Sequence, residues 1–252
     1  MHKYANPTVF MGLANGILPW AAMAAALLFF AGLPLALIVS PADYQQGNAA
    51  RIMYVHVPSA WMGLMIYGIM AGSSASFLIW RHPVASLIAR ASAPLGAMFT
   101  ALCLITGMLW GKPMWGAFWV WDARLTSMLI LQFLYVGYLA LADAFEDSER
   151  GDKAAAVLAL VGSVNLPIIH FSVTWWNTLH QPSILTMKGF TVNAAMLWPL
   201  LLMTGAFMAY YVCLLVLRLR IEILDAKIRN ARRARATEPS VTPTQQSTTQ
   251  QV

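Results

Sequence analysis

The residues best suited to chemistry lie in one run, WGKPMWGAFWVWDAR, at positions 110–124. Gly and Pro break a helix and let backbone approach a ligand closely. Tryptophan offers a flat, polarisable face with little conformational entropy to lose. Trp119 and Trp121 alternate, so a short extended piece points both the same way. With Trp110 and Trp115, the group suits a large, flat, apolar ligand.

The chain has five histidines. His2 is terminal, and His82 follows Arg81 and reads as a solvated loop residue. His170 comes three residues after Pro167 in an apolar run. It reads as a core histidine bonded to backbone that the proline frees, although an ionisable residue in such a run is a functional candidate by default. His56 stands just before Pro58, and His180 five residues after Trp175 and four after Trp176. Singly, each fits a plain loop residue. Together they fit paired axial ligands to a metal held in a flat ring, since haem iron accepts imidazole and two such ligands clamp it from opposite faces.

A haem carries carboxylates, and Arg binds carboxylates bidentately. Arg124 is the first candidate for them, followed by Arg51, Lys112 and Lys188. Asp122 and Arg124 also fit a cap at the start of the next helix, with Asp122 favoured by the helix N-terminal dipole. Both roles are compatible, and Asp122 is also placed to fix a tryptophan N–H.

Other chemistries lack their residues. There is no C-x-x-C-H for covalent haem attachment, no P-loop and no G-x-G-x-x-G. No Ser/His/Asp or Cys/His set reads as catalytic, and His56 and His180 lack the thiolates or carboxylates of a zinc site. Cys103 and Cys213 read as small core hydrophobes. The charge run from Asp143 to Lys153 reads as a solvated turn, or a place to dock a partner.

The elements that must position these residues are membrane helices. The 252 residues are 59% hydrophobic and 10% charged, against about 25% charged in soluble domains. Six runs contain no Asp, Glu, Lys or Arg: 17–39, 57–80, 91–110, 125–142, 154–176 and 189–217. Each is long enough for a span of about 20 residues, and none alternates as a barrel strand does. The reading is an all-α polytopic protein with six transmembrane helices, one membrane domain over 1–217 and a basic tail over 218–252 whose Pro/Ser/Thr/Gln end predicts disorder. The segment before the first span holds one cation, Lys3, and the apolar run is longer than a signal-peptide core, so the first helix is expected to stay.

With the N-terminus inside, twelve Lys/Arg fall on inner segments and four (Arg51, Lys112, Arg124, Lys188) on outer ones. The positive-inside rule selects that orientation, with both termini cytoplasmic. The basic tail then reads as an anchor on anionic headgroups. Eight of the ten tryptophans, all but Trp20 and Trp80, fall on the outer side. An interfacial belt gives similar numbers on both sides, so the imbalance favours a functional outer surface, and His56 and His180 lie beside it.

The run WGKPMWGAFWVWDARLTS resembles the tryptophan-rich WWD signature of haem-handling proteins in cytochrome c biogenesis. The runs PADYQQGN (41–48), YVHVP (54–58) and NLPIIHFSVTWWNTLHQ (165–181) resemble the CcmC family of the system I pathway within it. The likeness covers about residues 41–181, and it is weak in the first span, the last span and the tail. It implies a bacterial inner-membrane protein that holds non-covalent haem b at the periplasmic face. His56 and His180 match the axial ligands. Trp115, Trp119 and Trp121 match the platform, with Asp122 inside the motif. It implies delivery of haem to the chaperone CcmE, which attaches it covalently, and work beside CcmD and the ABC-type subunits CcmA and CcmB, whose ATP hydrolysis serves release of loaded CcmE. That makes the chain a handling protein rather than an enzyme.

Two other classes stand beside this reading. A b-type membrane oxidoreductase favours histidine pairs inside spans, where only His170 lies. A permease favours polar or broken helices at midplane, for which Pro34, Asn165 and Pro167 give faint support.

Overall fold

A computed structural model describes residues 7–182, 184–186 and 189–237. Lys3, His2, Lys188 and the tail beyond residue 237 lie outside the described residues.

Among the described residues six helical stretches are long and apolar enough to cross a membrane: Val9–Val39, Asn48–Trp80, Pro83–Trp115, Ala123–Asp143, Ser148–Trp175 and Ala194–Arg229. The helices are α1 (Pro7–Pro34), α2 (Met53–Trp80), α3 (Pro83–Trp115), α4 (Ala123–Asp143), α5 (Ser148–Gly162), α6 (Asn165–Trp175) and α7 (Ala194–Thr237). A π-helical turn, Leu35–Val39, extends α1 after Pro34, and a 3-10 turn, Asn48–Ile52, leads into α2. Among the described residues the one sheet is a two-residue antiparallel pairing of β1 (Leu185–Thr186) with β2 (Gly189–Phe190). By this up-and-down order the linkers 40–52 and 116–122 and the start of the linker after α6, 176–182, gather at one end of the bundle, and 81–82 and 144–147 at the other.

Several boundaries differ from the sequence reading, and three of them shape the bundle. The run 154–176 is two helices, α5 and α6, not one. Pro167 has no N–H, and in a continuous helix its ring would clash with the carbonyl of Ser163 four residues back; that carbonyl instead accepts from the Leu166 N–H at 3.0 Å. The break is docked on α4, where Asn165 Nδ2 donates to the Ser127 carbonyl at 2.9 Å. Next, α3 does not break at Gly111 or Pro113 but runs through Trp115. It ends at Gly116, whose φ of 75° needs no Cβ to clear. Last, α7 continues unbroken past Leu217, so the described part of the basic segment is helix.

The core is aromatic and thioether-rich. Tyr54, Tyr67, Tyr135, Phe99, Met62 and Met70 are fully buried. Tyr135 reaches across to donate to the Gly63 carbonyl at 2.8 Å. Gly96 makes room for it, since a Cβ there would lie 2.1 Å from the Tyr135 ring. Small residues that let helices approach closely are what packing in lipid relies on. At the opposite end Arg90 donates to Asp152 (2.6 Å), to Asp143 (2.9 Å) and to the Ala142 carbonyl (2.5 Å). The charge run 143–153 is thus partly a clasp between helices, not only a solvated turn.

Candidate functional site

His56 sits in the first turn of α2, two residues ahead of Pro58, which lies inside the helix and has no N–H to give the Tyr54 carbonyl. Its buried ring turns onto α3. Nδ1–H donates to the Cys103 carbonyl at 3.0 Å. It also lies 3.1 Å from Thr106 Oγ1, whose hydroxyl donates back to the Leu102 carbonyl at 2.7 Å. The proton is therefore on Nδ1, and Nε2 keeps its lone pair. Gly107 admits the ring, since a Cβ there would stand 3.0 Å from His56 Cε1. Trp110, one turn on, meets the imidazole edge-to-face at 5.6 Å and 81°.

His180 comes from the linker after α6 and is half-buried. Its Nδ1–H donates to the Gln181 carbonyl at 3.0 Å, so Nε2 is free here too. Burial, then the charge of Arg124, holds its pKa below the ordinary histidine value, against the opposing pull of the Gln181 bond and Asp122. The ring is therefore neutral near pH 7. The two imidazoles stand 6.2 Å apart, centroid to centroid, with planes 32° apart. Trp115 lies 6.5 Å from His180.

Donating the second ring nitrogen to a carbonyl is the habit of metal-bound histidine. A ligating nitrogen lies about 2 Å from a first-row metal and the ring centroid about 1 Å further, so two trans imidazoles place their centroids about 6 Å apart. The observed separation matches. Among the described residues no group of three or more His, Cys, Asp or Glu is placed to hold a metal ion. Two imidazoles suit a metal that brings its remaining ligands with it.

Both histidines line a cavity of about 220 Å³. Its walls are largely apolar: Leu64, Leu104, Met108, Met114, Leu125, Met128 and Ile169, with the indoles of Trp61, Trp110, Trp115 and Trp119. Two polar groups stand out. Arg124 Nη1 and Trp119 Nε1 are buried, and neither has a hydrogen-bond partner among the described residues. Buried donors of this kind call for an acceptor, and a ligand carboxylate supplies one.

The expected site residues divide. His56, His180, Trp110, Trp115, Trp119 and Arg124 line the cavity. Asp122 caps α4, accepting from the Leu125 N–H at 2.8 Å, while its Oδ2 is buried without a partner among the described residues. Trp121 touches Trp119 at 5.5 Å but is 77% exposed and outside the cavity. Trp175 and Trp176 are exposed as well, with Trp175 stacked on Phe171. Arg51 is occupied by the Ile38 and Ser40 carbonyls, and Lys112 by the Gly116 carbonyl and the Phe118 ring.

Sequence reasoning named no site role for Trp61, Thr106 or Gly107. Trp61 lines the cavity, and its place among the outer tryptophans was the available signal. Thr106 and Gly107 stand one turn before Trp110, a spacing that carries no signature of its own. His170, expected as a backbone-bonded core residue, is instead exposed at the cavity wall, its ring against Phe171 at 4.7 Å.

The model of the CcmC family, described as "Heme exporter protein C", matches residues 1–234. The chain belongs to the CcmC family. Full-length proteins named Heme exporter protein C are similar to it. That of Bradyrhizobium diazoefficiens is 50% identical over 90% of this chain and 86% of its own. That of Haemophilus influenzae is 48% identical over 90% and 94%. That of Escherichia coli strain K12 is 46% identical over 89% and 91%. As a CcmC-family match, the chain is related along both the cavity and most of the basic end of α7.

Proposed function

We propose that this chain binds haem b non-covalently, clamps its iron between His56 and His180, and delivers it to the chaperone CcmE for c-type cytochrome maturation. One observation carries the reading: two imidazoles, each with Nδ1 committed to a backbone carbonyl, lie 6.2 Å apart at an indole-lined cavity. The family name of the relatives supports the ligand class. Haem supplies an iron with two open axial positions, and the chain's part is to bind, orient and shield it.

Each residue has a physical task. Trp110, Trp115 and Trp119 offer faces to a planar macrocycle. Arg124 Nη1 and Trp119 Nε1 receive a propionate in a region of low dielectric, where a charge-assisted bond is strong. Asp122 works through the backbone, fixing the turn from which Trp119 and Arg124 project. Trp121, Trp175 and Trp176 form an exposed aromatic rim for ring edge or partner. A cavity of about 220 Å³ is smaller than the roughly 300–1,000 Å³ that enclose a whole drug-sized ligand. With only that volume enclosed, the far edge of a bound ring would stand outside, within reach of a partner.

The charge distribution supports a periplasmic site with both termini in the cytoplasm of a bacterial inner-membrane protein. The membrane domain is residues 1–217, and the basic segment 218–252 lies on the cytoplasmic side. CcmA, CcmB and CcmD complete the working assembly, and the chain itself is a handling protein, not an enzyme. The test is transfer: haem-loaded protein in its complex is mixed with CcmE, and haem retained by CcmE after denaturation is measured. Transfer from the wild type, lost with His56→Ala, is expected. Haem bound by the wild type but never passed to CcmE would remove the delivery claim and leave binding standing.

A further inference from the structure

We infer that Gln46 is a positioning residue for the haem site: it holds the Trp110 indole and, through it, the plane of the His56 ring. The inference rests on the haem reading above. Trp110 Nε1–H donates to Gln46 Oε1 at 2.9 Å, and the Trp110 ring meets that of His56 edge-to-face. Gln46 belongs to the linker between α1 and α2, so this bond ties that linker to the cavity wall.

The linker is built to hold its shape. Asp43 Oδ1 accepts from the N–H groups of both Gln45 and Gln46, each at 2.9 Å. Asp43 and Gly47 exchange backbone bonds at 3.1 and 2.9 Å, and Gly47 takes the reversal with φ of 56°. Arg51 ties the segment to the end of the first span through the Ser40 carbonyl at 3.0 Å. The Ser40 hydroxyl bonds that of Tyr54 in α2. The Gln46 side chain thus starts from an anchored backbone.

The His56 ring is held at Nδ1 by α3 and is flanked by Gly107 and Trp110. An indole that loses its acceptor turns to find another, because a part-buried N–H left unpaired is unfavourable. Its contact with His56 is then lost, and the Nδ1 bond is left without the indole to set the rotation of the ring about the axis through Nε2. The quantity Gln46 controls is the angle between the two ligand planes, 32° here. Only the side-chain oxygen is used, so Glu replaces Gln46 and Leu does not.

The experiment is electron paramagnetic resonance of the full-length ferric haem protein, whose low-spin g-values report the angle between axial ligand planes. Gln46→Leu is expected to shift the g-values while the haem stays six-coordinate. Gln46→Glu is expected to keep the wild-type values. Trp110→Phe should reproduce the Gln46→Leu shift, and the double variant should add nothing, the mark of residues acting in series. Wild-type g-values in Gln46→Leu at equal haem load overturn the inference alone, as do shifts that add. So does a Gln46→Leu protein that only loses haem and thermal stability, because that is a merely structural role. A wild type with no low-spin haem overturns the haem reading and this inference with it.

Discussion

Thr106 Oγ1 lies 3.1 Å from His56 Nδ1 while its hydroxyl donates to the Leu102 carbonyl at 2.7 Å. The hydroxyl oxygen is therefore oriented to accept, and the proton of His56 is directed onto Nδ1. Support of this kind around a ligating histidine is commonly worth about 10–100-fold in metal affinity. The Cys103 carbonyl shares the load here, so Thr106→Val should weaken haem binding by about 10-fold, with Thr106→Ser near wild type. Haem titration in detergent measures it. Equal affinities for Val and Ser would show that the hydroxyl has no such role.

The pH response follows from His180. Its pKa is depressed in the folded protein by burial and by Arg124. The unfolded chain then binds the proton more readily, with a value near 6.5. Stability therefore has its full contribution above about pH 6.5 and loses it as pH falls through the window below. Unfolding of the haem-free protein, followed against pH, should show this slope, and His180→Gln should flatten it. A slope unchanged in His180→Gln would assign it to another group.

Gly96 faces a ring that has nowhere to go. A Cβ at this position would fall 2.1 Å from Tyr135, and Tyr135 is fixed by its bond to the Gly63 carbonyl. Gly96→Ala should destabilise the bundle by about 1–3 kcal/mol through overpacking, read as a lower thermal midpoint. Tyr135→Phe/Gly96→Ala, freed from the hydroxyl bond, should recover part of the loss.

Orientation is testable by labelling, because both native cysteines are buried. Gln45→Cys, in an exposed linker at the cavity end, should react with a membrane-impermeant maleimide in intact cells. Glu146→Cys, at the other end, should react only after permeabilisation. The reverse pattern would put the cavity in the cytoplasm.

The six spans were legible because lipid allows so few backbone solutions that charge-free runs identify them. Their ends were less so. α3 begins at Pro83 rather than near residue 91, because Arg90 is neutralised by Asp143 and Asp152, and a run read for charge alone cannot see a partner. The helix break between α5 and α6 had its signal in Pro167, but the docking of Asn165 on Ser127 is a contact between helices. The tryptophan run was visible by composition, whereas its division into cavity-lining Trp119 and exposed Trp121 follows the irregular backbone of 119–122, which departs from the extended strand the alternation assumed. The approach of His56 to His180 lies furthest from the sequence, since it is made by packing of α2, α3 and the linker after α6. His170, three residues past Pro167, offered the same evidence for a core role as for the exposed place it occupies.

The most direct measurement is the visible absorption spectrum of the purified protein after expression with haem, beside His56→Ala and His180→Ala. The account predicts a sharp low-spin, six-coordinate spectrum in the wild type. His180→Ala should keep haem as a five-coordinate, high-spin form, because His56 is buried and held at Nδ1 by the Cys103 carbonyl and Thr106. His56→Ala should lose most of it. A wild type without haem, or an unchanged low-spin spectrum in both variants, would contradict the clamp between His56 and His180.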